Sequence, residues 1–105
     1  MDDYITYIID RYEAELQKVQ RDSYALRFVK EQTYELCLAA VQQHGYALQY
    51  VKDQTYEICF AAVQQYGGAL YFVKAQTAEL CLAAVKQDRY NLAFVKDLNL
   101  KFIFL

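Results

Sequence analysis

Two consecutive stretches of the chain are nearly the same. The chain reads TYELCLAAVQQHGYALQYVKDQ over residues 33–54 and TYEICFAAVQQYGGALYFVKAQ over residues 55–76. Identical residues recur every 22 positions beyond these two stretches as well, in the sets Thr33, Thr55, Thr77; Cys37, Cys59, Cys81; and Lys30, Lys52, Lys74, Lys96. Self-similarity at a fixed period is the signature of a repeat protein, so the local structure should be assigned unit by unit.

The register extends in both directions from these units. Backwards, Tyr12 and Glu13 align with Tyr34 and Glu35, which places a degenerate first unit at residues 11–32. Forwards, Asn99 stands where the other units have threonine. We therefore predict one helical-repeat domain, residues 1–105, made of that first unit, units 33–54, 55–76 and 77–98, and a truncated last unit 99–105.

Each unit has the pattern of two short helices. Thr33 is a good N-cap for the first helix, and Glu35 lies where the helix dipole favours negative charge. Residues 36–41 are all apolar, which indicates a helix packed on more than one side. Gly45 is expected to end this helix in a left-handed conformation, and a second helix is expected from about Tyr46 to Asp53. The predicted fold is all-α: a short α-solenoid of tandem 22-residue helix-turn-helix repeats.

The stretch Glu57-Ile-Cys-Phe-Ala-Ala-Val-Gln-Gln-Tyr-Gly-Gly-Ala-Leu-Tyr-Phe resembles the short repeats of the family called domain of unknown function 4116. The resemblance extends over residues 11–96 and rests on the pattern Ala-Val-x-x-x-Gly-x-Ala-Leu-x-Tyr. It implies helical repeats, and it implies no particular activity.

Composition narrows the setting in which the protein works. Hydrophobic residues make up 56% of the 105 residues, enough for a folded core, and the net charge is −2. The longest apolar runs are six residues, at 36–41 and 58–63, against about 20 needed to cross a bilayer. Three cysteines without close pairs and an acidic start favour a reducing, cytoplasmic location without a membrane segment.

Residues able to perform chemistry are few. The cysteines are too widely spaced for a disulfide or a shared zinc ion and are expected to be buried. His44 lies at a position that varies between units, and no activated hydroxyl or thiol accompanies it. Glu35, Glu57 and Glu79 are explained by the helix dipole. We therefore predict no enzyme, no catalytic or metal-binding residue, and no cofactor.

The lysine column could attract phosphates, and aromatic residues stand two positions before each lysine, which could stack on bases. Acidic residues follow three of the four lysines and cancel much of that field, at Glu31, Asp53 and Asp97. Aromatic residues at a repeated position are also usually part of a core. The sequence thus disfavours a nucleic-acid partner.

Positions that vary between units are free of the stacking requirement and are available to a partner. Several of them are tyrosines, a residue enriched at interface hot spots. The predicted contact residues are Tyr34, Tyr56, Tyr66, Tyr71 and His44, with Phe102 and Phe104 at the apolar C-terminal end.

The favoured function is a non-catalytic module that binds another protein. The apolar C-terminal end is expected to form a homodimer, and the alternative is that it folds back as a lid over the last repeat. Two alternatives remain open. One is a small inhibitor from a mobile element or virus that blocks a nucleic-acid-processing machine, in the manner of an anti-CRISPR protein. The other is a self-assembling structural repeat protein.

Overall fold

The computed structural model describes residues 2–104. Within that range every regular element is helical, as the sequence predicts. Met1 and Leu105, the two ends of the predicted domain, lie outside the described residues. Five α-helices alternate with four 3-10 helices: α1 Asp3–Arg21, η1 Ser23–Phe28, α2 Tyr34–Gln43, η2 Gly45–Tyr50, α3 Tyr56–Gln65, η3 Gly67–Phe72, α4 Ala78–Gln87, η4 Arg89–Phe94 and α5 Leu98–Phe104.

The α-helices of the three central units begin as the sequence predicts. The hydroxyl oxygen of Thr33 accepts a hydrogen bond from the backbone N–H of Leu36 at 3.2 Å, and Thr55 and Thr77 cap α3 and α4 at the same distance. This bond satisfies one of the backbone donors that a helix start leaves free. The cap therefore fixes the start of each α-helix at the same point of the 22-residue unit.

The second helix of each unit differs from the expected one in type and length. It is a six-residue 3-10 helix, and η2 ends at Tyr50 rather than near Asp53. The backbone N–H of Val51 bonds to the carbonyl of Leu48 at 3.1 Å, three residues back, and Val51 itself is extended (φ −77°, ψ 121°). In η2 the buried residues are Gly45, Ala47 and Leu48, and the three-residue period of the helix places Gly45 and Leu48 on the same face.

The predicted left-handed conformation of Gly45 was wrong, because no residue in the range 2–104 has a positive φ. The turn is made by an extended C-cap residue, His44 (φ −142°, ψ 113°), and Gly45 is the first residue of η2. Glycine is needed there for space. A Cβ on Gly45 would collide with the carbonyl oxygen of Ala62 in the next unit.

The helices form two layers along a narrow rod of 59 × 20 × 18 Å. The α-helices stack side by side in one layer and the 3-10 helices stack in the other; η1, η2 and η3 each pack against two successive α-helices, and η4 packs against α4. The core runs between the layers. It takes the same positions from each unit, so leucines, cysteines, alanines and valines recur in it, as in Leu48, Leu70, Cys37, Cys59, Cys81, Ala40, Ala62, Ala84, Val41 and Val63.

A glutamine at the end of each connecting loop joins neighbouring units. The side-chain N–H of Gln32 donates to the carbonyl of Tyr50 at 2.7 Å, and its oxygen accepts the backbone N–H of Lys52 at 2.9 Å. Gln54 and Gln76 repeat both bonds one unit further on. These side chains replace the backbone pairing that the loops lack.

The terminal units depart from the repeat. Helix α1 begins at Asp3, well before the predicted start of the first unit at residue 11. At the other end, the carboxylate of Asp97 bonds to the N–H of Asn99 at 2.9 Å, so α5 begins at Leu98 and Asn99 is not the cap. Leu100 and Phe104 pack against the core, whereas Phe102 and Ile103 are exposed. None of the helices in residues 2–104 is both long and apolar enough to cross a bilayer.

Candidate protein-binding surface

The structure separates the predicted contact residues into different regions. Tyr34 and Tyr56 lie at the N-terminal ends of α2 and α3, whereas His44 and Tyr66 are the residues that cap their C-terminal ends. A ten-residue helix spans about 15 Å, so these two pairs lie on opposite edges of the rod. Tyr71 belongs to η3, and Phe102 and Phe104 to α5. One partner patch cannot include them all.

Shallow grooves recur along the edge that holds Tyr34 and Tyr56. They have volumes of about 300 and 430 Å³ and lie between the loop before α2 and the loop before α3, and one unit further on. Within this edge, the hydroxyl of Tyr56 donates to a carboxylate oxygen of Glu79 at 2.8 Å. That hydrogen bond, with burial, raises the pKa of Tyr56. Tyr56 therefore already has a structural partner in the next unit.

The lysine column lies on the same edge, and all four lysines are exposed. Two of them also bond to the protein itself. The ammonium of Lys52 donates to the carbonyl of Lys30 at 3.2 Å, and the ammonium of Lys96 donates to the carbonyl of Val73 at 3.0 Å. Each of these two bonds reaches back into the loop of the preceding unit, so Lys52 and Lys96 have a structural role.

The outer face of the 3-10 layer carries a different kind of surface. Residues three apart share a face of a 3-10 helix, and the outward pairs in η1 to η4 are the second and fifth residues of each helix. We define the aromatic strip as the rings that this face and the adjoining sixth position present: Tyr24, Phe28, Tyr46, Tyr50, Tyr71, Phe72, Tyr90 and Phe94. Phe28 is 69% exposed and Tyr71 is 59% exposed, and the remaining members are between exposed and half-buried.

Rings from adjacent units touch at two of the three boundaries between the 3-10 helices, η1 to η2 and η3 to η4. The ring of Tyr24 meets that of Tyr50 edge-on, with centroids 5.1 Å apart and planes at 84°. Tyr71 meets Phe94 of the next unit in the same way, at 5.8 Å and 80°, and also its neighbour Phe72 at 5.2 Å. Edge-to-face contacts of this kind hold rings in fixed orientations. These contacts therefore restrain the rings of Tyr24, Tyr50, Tyr71 and Phe94.

The charges in and beside the 3-10 helices determine the electrostatic character of the aromatic strip. None of η1 to η4 contains an acidic residue. The guanidinium of Arg27 lies over the rings of Tyr24 and Phe28, 4.4 and 4.5 Å from their centroids, and donates to the hydroxyl of Tyr24. Packing between the rings and the Tyr24 hydroxyl raise the pKa of Tyr50. The phenol of Tyr50 therefore stays protonated and can donate a hydrogen bond.

His44 and Tyr66 border this strip. The imidazole of His44 packs against the ring of Tyr46, with centroids 5.2 Å apart, and its Nδ1 lies 3.0 Å from the hydroxyl of Ser23. In the next unit, Gly68 stands where η2 has Tyr46, and the ring of Tyr66 occupies the space that a side chain at Gly68 would need. Tyr66 thus supplies a ring where the repeat omits one.

Of the predicted contact residues, the structure brings together Tyr71, Tyr66 and His44, and it does not bring Tyr34, Tyr56, Phe102 or Phe104 to them. The sequence analysis missed Tyr24 and Tyr46 because it assigned repeated residues to stacking. Both are 40% exposed. A 3-10 assignment would have found them, since Tyr24 and Arg27 are then neighbours on one face.

The cysteines are buried, as predicted. Each is at most 4% exposed, and each thiol lies 3.5–3.6 Å from the side-chain oxygen of the glutamine at the preceding unit boundary. Burial and the nearby charge of Asp53 raise the pKa of Cys37 to about 11, and burial raises the pKa of Cys59 and Cys81. Among residues 2–104, no three histidine, cysteine or acidic side chains come together as a metal site requires.

Comparison with known proteins gives one match. Residues 33–76, the two central units, match the family model described as Domain of unknown function (DUF4116). These are the two units whose sequences are most alike, and the match agrees with the resemblance seen in their residues. No curated protein and no solved structure matches the chain significantly.

Proposed function

We propose that this protein is a non-catalytic helical-repeat module that binds another protein across the aromatic strip. The observation that carries the proposal is the series of exposed rings along the four 3-10 helices, which touch across two of the three unit boundaries, at Tyr24–Tyr50 and at Tyr71–Phe94. Exposed aromatic surfaces of this extent on a folded protein are characteristic of binding sites.

The composition of the strip fits a protein partner. Tyrosine offers a large apolar area and a polar tip at a small cost in side-chain entropy, and it is enriched where interfaces concentrate their binding energy. The edge contacts already hold Tyr24 and Tyr71 in place, so little further ordering is needed on binding. A nucleic-acid partner fits less well, because that class of surface needs many cations along the backbone path and Arg27 and Arg89 are the only ones within η1 to η4.

Site-specific photo-crosslinking tests the proposal. A photoreactive amino acid placed at Gln49 lies in the strip, and the same amino acid at Gln64 lies on α3 away from it. Both residues are exposed glutamines, so the two variants form a matched pair. After irradiation in cells, we expect a protein partner to be joined through position 49 and not through position 64. Equal crosslinking from both positions would contradict a strip-specific interaction.

The identity of the joined protein separates the alternatives. A crosslink to a second copy of the chain would favour the self-assembling structural protein. A crosslink to a nuclease or another nucleic-acid-processing enzyme would favour the inhibitor.

A further inference from the structure

We infer that the C-terminal end of the aromatic strip binds an arginine side chain of the partner, on the ring of Tyr90 and in the place that the short side chain of Ala93 leaves open. This inference rests on the proposed function and adds the chemical group that the strip recognises. It follows from a guanidinium that η1 holds on two of its own rings, and from the return of those two rings in η4 without the guanidinium.

Helix η1 shows how the strip holds a guanidinium. The guanidinium carbon of Arg27 lies 4.4 Å from the ring centroid of Tyr24 and 4.5 Å from that of Phe28. The same guanidinium donates a hydrogen bond to the hydroxyl of Tyr24. Aromatic faces attract a cation, and a planar guanidinium can stack on a ring while its edge donates to an acceptor. Two rings and one phenolic oxygen of a single 3-10 helix therefore form a binding place for this group.

Helix η4 repeats the arrangement and omits the cation. Residues 22–28 read Asp-Ser-Tyr-Ala-Leu-Arg-Phe, and residues 88–94 read Asp-Arg-Tyr-Asn-Leu-Ala-Phe. In both segments the aspartate carboxylate accepts the N–H of the tyrosine two residues on, at 3.1 Å in η1 and 3.0 Å in η4. The start of the helix and the two ring positions are thus the same, and Ala93 stands where η1 has Arg27.

The other two 3-10 helices do not leave this place open. The fifth position, which Arg27 holds in η1, is Gln49 in η2, and its amide donates to the carbonyl of Tyr46 at 3.1 Å. In η3 the fifth position is Tyr71, and Gly68 stands at the second position, where the other helices have a ring. Helix η4 therefore combines rings at the second and sixth positions with a fifth side chain too short to cover them.

Tyr90 offers most of the free surface at this place. It is 86% exposed, whereas Tyr24 is 40% exposed because its own arginine and the ring of Tyr50 cover it. Phe94 is half-buried against the core and meets Tyr71, so it contributes only the part of its ring that stays accessible. The guanidinium of a partner would lie mainly on the Tyr90 ring and donate to its hydroxyl, as in η1.

The charges around η4 favour a cationic ligand at this place. The carboxylate of Asp88 lies exposed at the start of the helix. Arg89 is the cation of η4, and the three-residue period of a 3-10 helix places it on the face of Leu92 rather than on that of Tyr90 and Ala93. Among residues 2–104, the contacts of a cation over a ring are those of Arg27, so the protein's own cations leave the rings of η4 free.

The test is an NMR titration of the whole isotope-labelled protein. The probes are N-acetyl-arginine amide and its lysine and citrulline counterparts, the last of which keeps the shape of arginine without its charge. We expect the arginine compound to shift the backbone signals of Tyr90, Ala93 and Phe94, with a dissociation constant at least about fivefold below that of the citrulline compound. Tyr90→Ala should weaken this binding at least about fivefold, and Tyr90→Phe should weaken it by a smaller factor through loss of the acceptor.

Ala93→Arg supplies the missing cation from the chain itself. Its guanidinium should lie on Tyr90 as that of Arg27 lies on Tyr24, and should abolish the response to the arginine compound. Gln64→Arg is the matched control, because it adds the same charge at an exposed position of α3, and it should leave the dissociation constant within about twofold. In the crosslinking experiment, Ala93→Arg should likewise reduce capture of the partner from position 49, and Gln64→Arg should not. Circular dichroism on each variant checks that the fold is retained.

Each remaining outcome decides against the inference or separates it from the proposed function. Equal binding of the arginine and citrulline compounds, or equal effects of Ala93→Arg and Gln64→Arg, would overturn it. The absence of any shift at Tyr90 with about 50 mM of the arginine compound would do the same. If the crosslink from position 49 still captures a protein in that case, the ligand class is wrong and the proposed function stands. If the crosslink fails as well, both fail.

Discussion

The side-chain oxygen of Gln54 accepts a hydrogen bond from the backbone N–H of Lys74, 3.0 Å away and in the next unit. The amide of the same side chain donates to the carbonyl of Phe72 at 2.8 Å, and the Cys59 thiol contacts its oxygen at 3.6 Å. One side chain thus links two loops and the α-helix between them. Because this arrangement recurs at Gln32 and Gln76, the spacing of the 3-10 layer, and with it the spacing of the strip, depends on these glutamines.

Replacing Gln54 should therefore destabilise the array. Gln54→Ala leaves the N–H of Lys74 and the carbonyl of Phe72 without their partner, and we expect a loss of about 2–3 kcal/mol in the free energy of unfolding. Urea denaturation followed by circular dichroism measures it. The matched variant Gln64→Ala removes an exposed glutamine from α3 and should change stability by less than about 0.5 kcal/mol. Equal losses would mean that the hydrogen bonds of Gln54 contribute little.

The two adjacent glycines of η3 should respond differently to alanine. A Cβ on Gly67 would collide with the buried Asn91 side chain and with Gln87, whereas a Cβ on Gly68 meets only the ring of Tyr66, which can move outward. We expect Gly67→Ala to cost about 1–3 kcal/mol and Gly68→Ala less than about 1 kcal/mol, measured by the same denaturation. A larger loss for Gly68→Ala would contradict the close-approach explanation and suggest that Tyr66 is fixed.

Much of the fold was predictable from the sequence because its strongest signals are local or periodic. A threonine cap before an apolar run defines the start of an α-helix, and the 22-residue period places each such helix beside the next. The sequence could not distinguish 3-10 helices from α-helices, because the buried residues of a six-residue segment such as η2 fit a spacing of three residues as well as a spacing of four. Gln32, Gln54 and Gln76 recur with the same 22-residue period as the threonines and could have been found. They were not singled out because glutamine is usually an exposed residue.

Of the contact residues predicted from the sequence, only Tyr71 is a member of the proposed strip, with Tyr66 and His44 beside it. Tyr71 was selected because its position varies between units, which is a sound criterion for freedom from stacking. The same criterion excluded Tyr24 and Tyr46, because repetition was equated with burial. Repetition in this array also places identical rings on an outer face. Tyr34 and Tyr56 could not be separated from Tyr71 without knowing which residues lie on which edge of the rod.

The buried thiols predict a defined pattern of reactivity. All three cysteines are at most 4% exposed and have raised pKa values, so the reactive thiolate is scarce in the folded protein. We expect labelling by a maleimide at neutral pH to be slow in buffer and fast in denaturant. Rapid labelling of two or more cysteines in the folded protein would show that the core opens readily.

The same pKa shifts set a dependence of stability on pH. The folded pKa of Cys37, about 11, lies above its ordinary value of 9.0, so the unfolded chain loses this proton first as the pH rises. The thiol contribution to stability is complete below pH 9 and is lost as the pH rises through about 11. Unfolding free energies measured from pH 8 to 11 should therefore fall, and Cys37→Ala should reduce the slope. An unchanged slope in that variant would assign the pH dependence to other groups.

Substitutions in the core and at the surface should differ sharply. Leu70 is fully buried, and Leu70→Asp places an unpaired charge between the layers, which should cost at least about 4 kcal/mol and unfold much of the array. Tyr34 is 45% exposed, and Tyr34→Ala should lower the melting temperature only slightly. Melting curves by circular dichroism compare the two. Equal shifts would contradict the division between core and surface.

The apolar side chains of α5 predict self-association. Leu98, Phe102 and Ile103 are about 70% exposed, while Phe104 and Leu100 of the same helix pack against the core. A two-fold pairing of α5 with its counterpart in a second copy would cover the exposed side chains and form a closed assembly. Light scattering over a concentration series should then give a mass near twice 12.3 kDa. The double variant Phe102→Ser and Ile103→Ser should be monomeric, while Tyr90→Ser, which removes another highly exposed ring, should still dimerise.

A wild-type mass that stays at 12.3 kDa at high micromolar concentration would eliminate the dimer. Helix α5 would then act only as a cover for α4, and Phe104→Ser should lower the stability of the monomer by about 1–3 kcal/mol, in line with the loss of a half-buried aromatic contact.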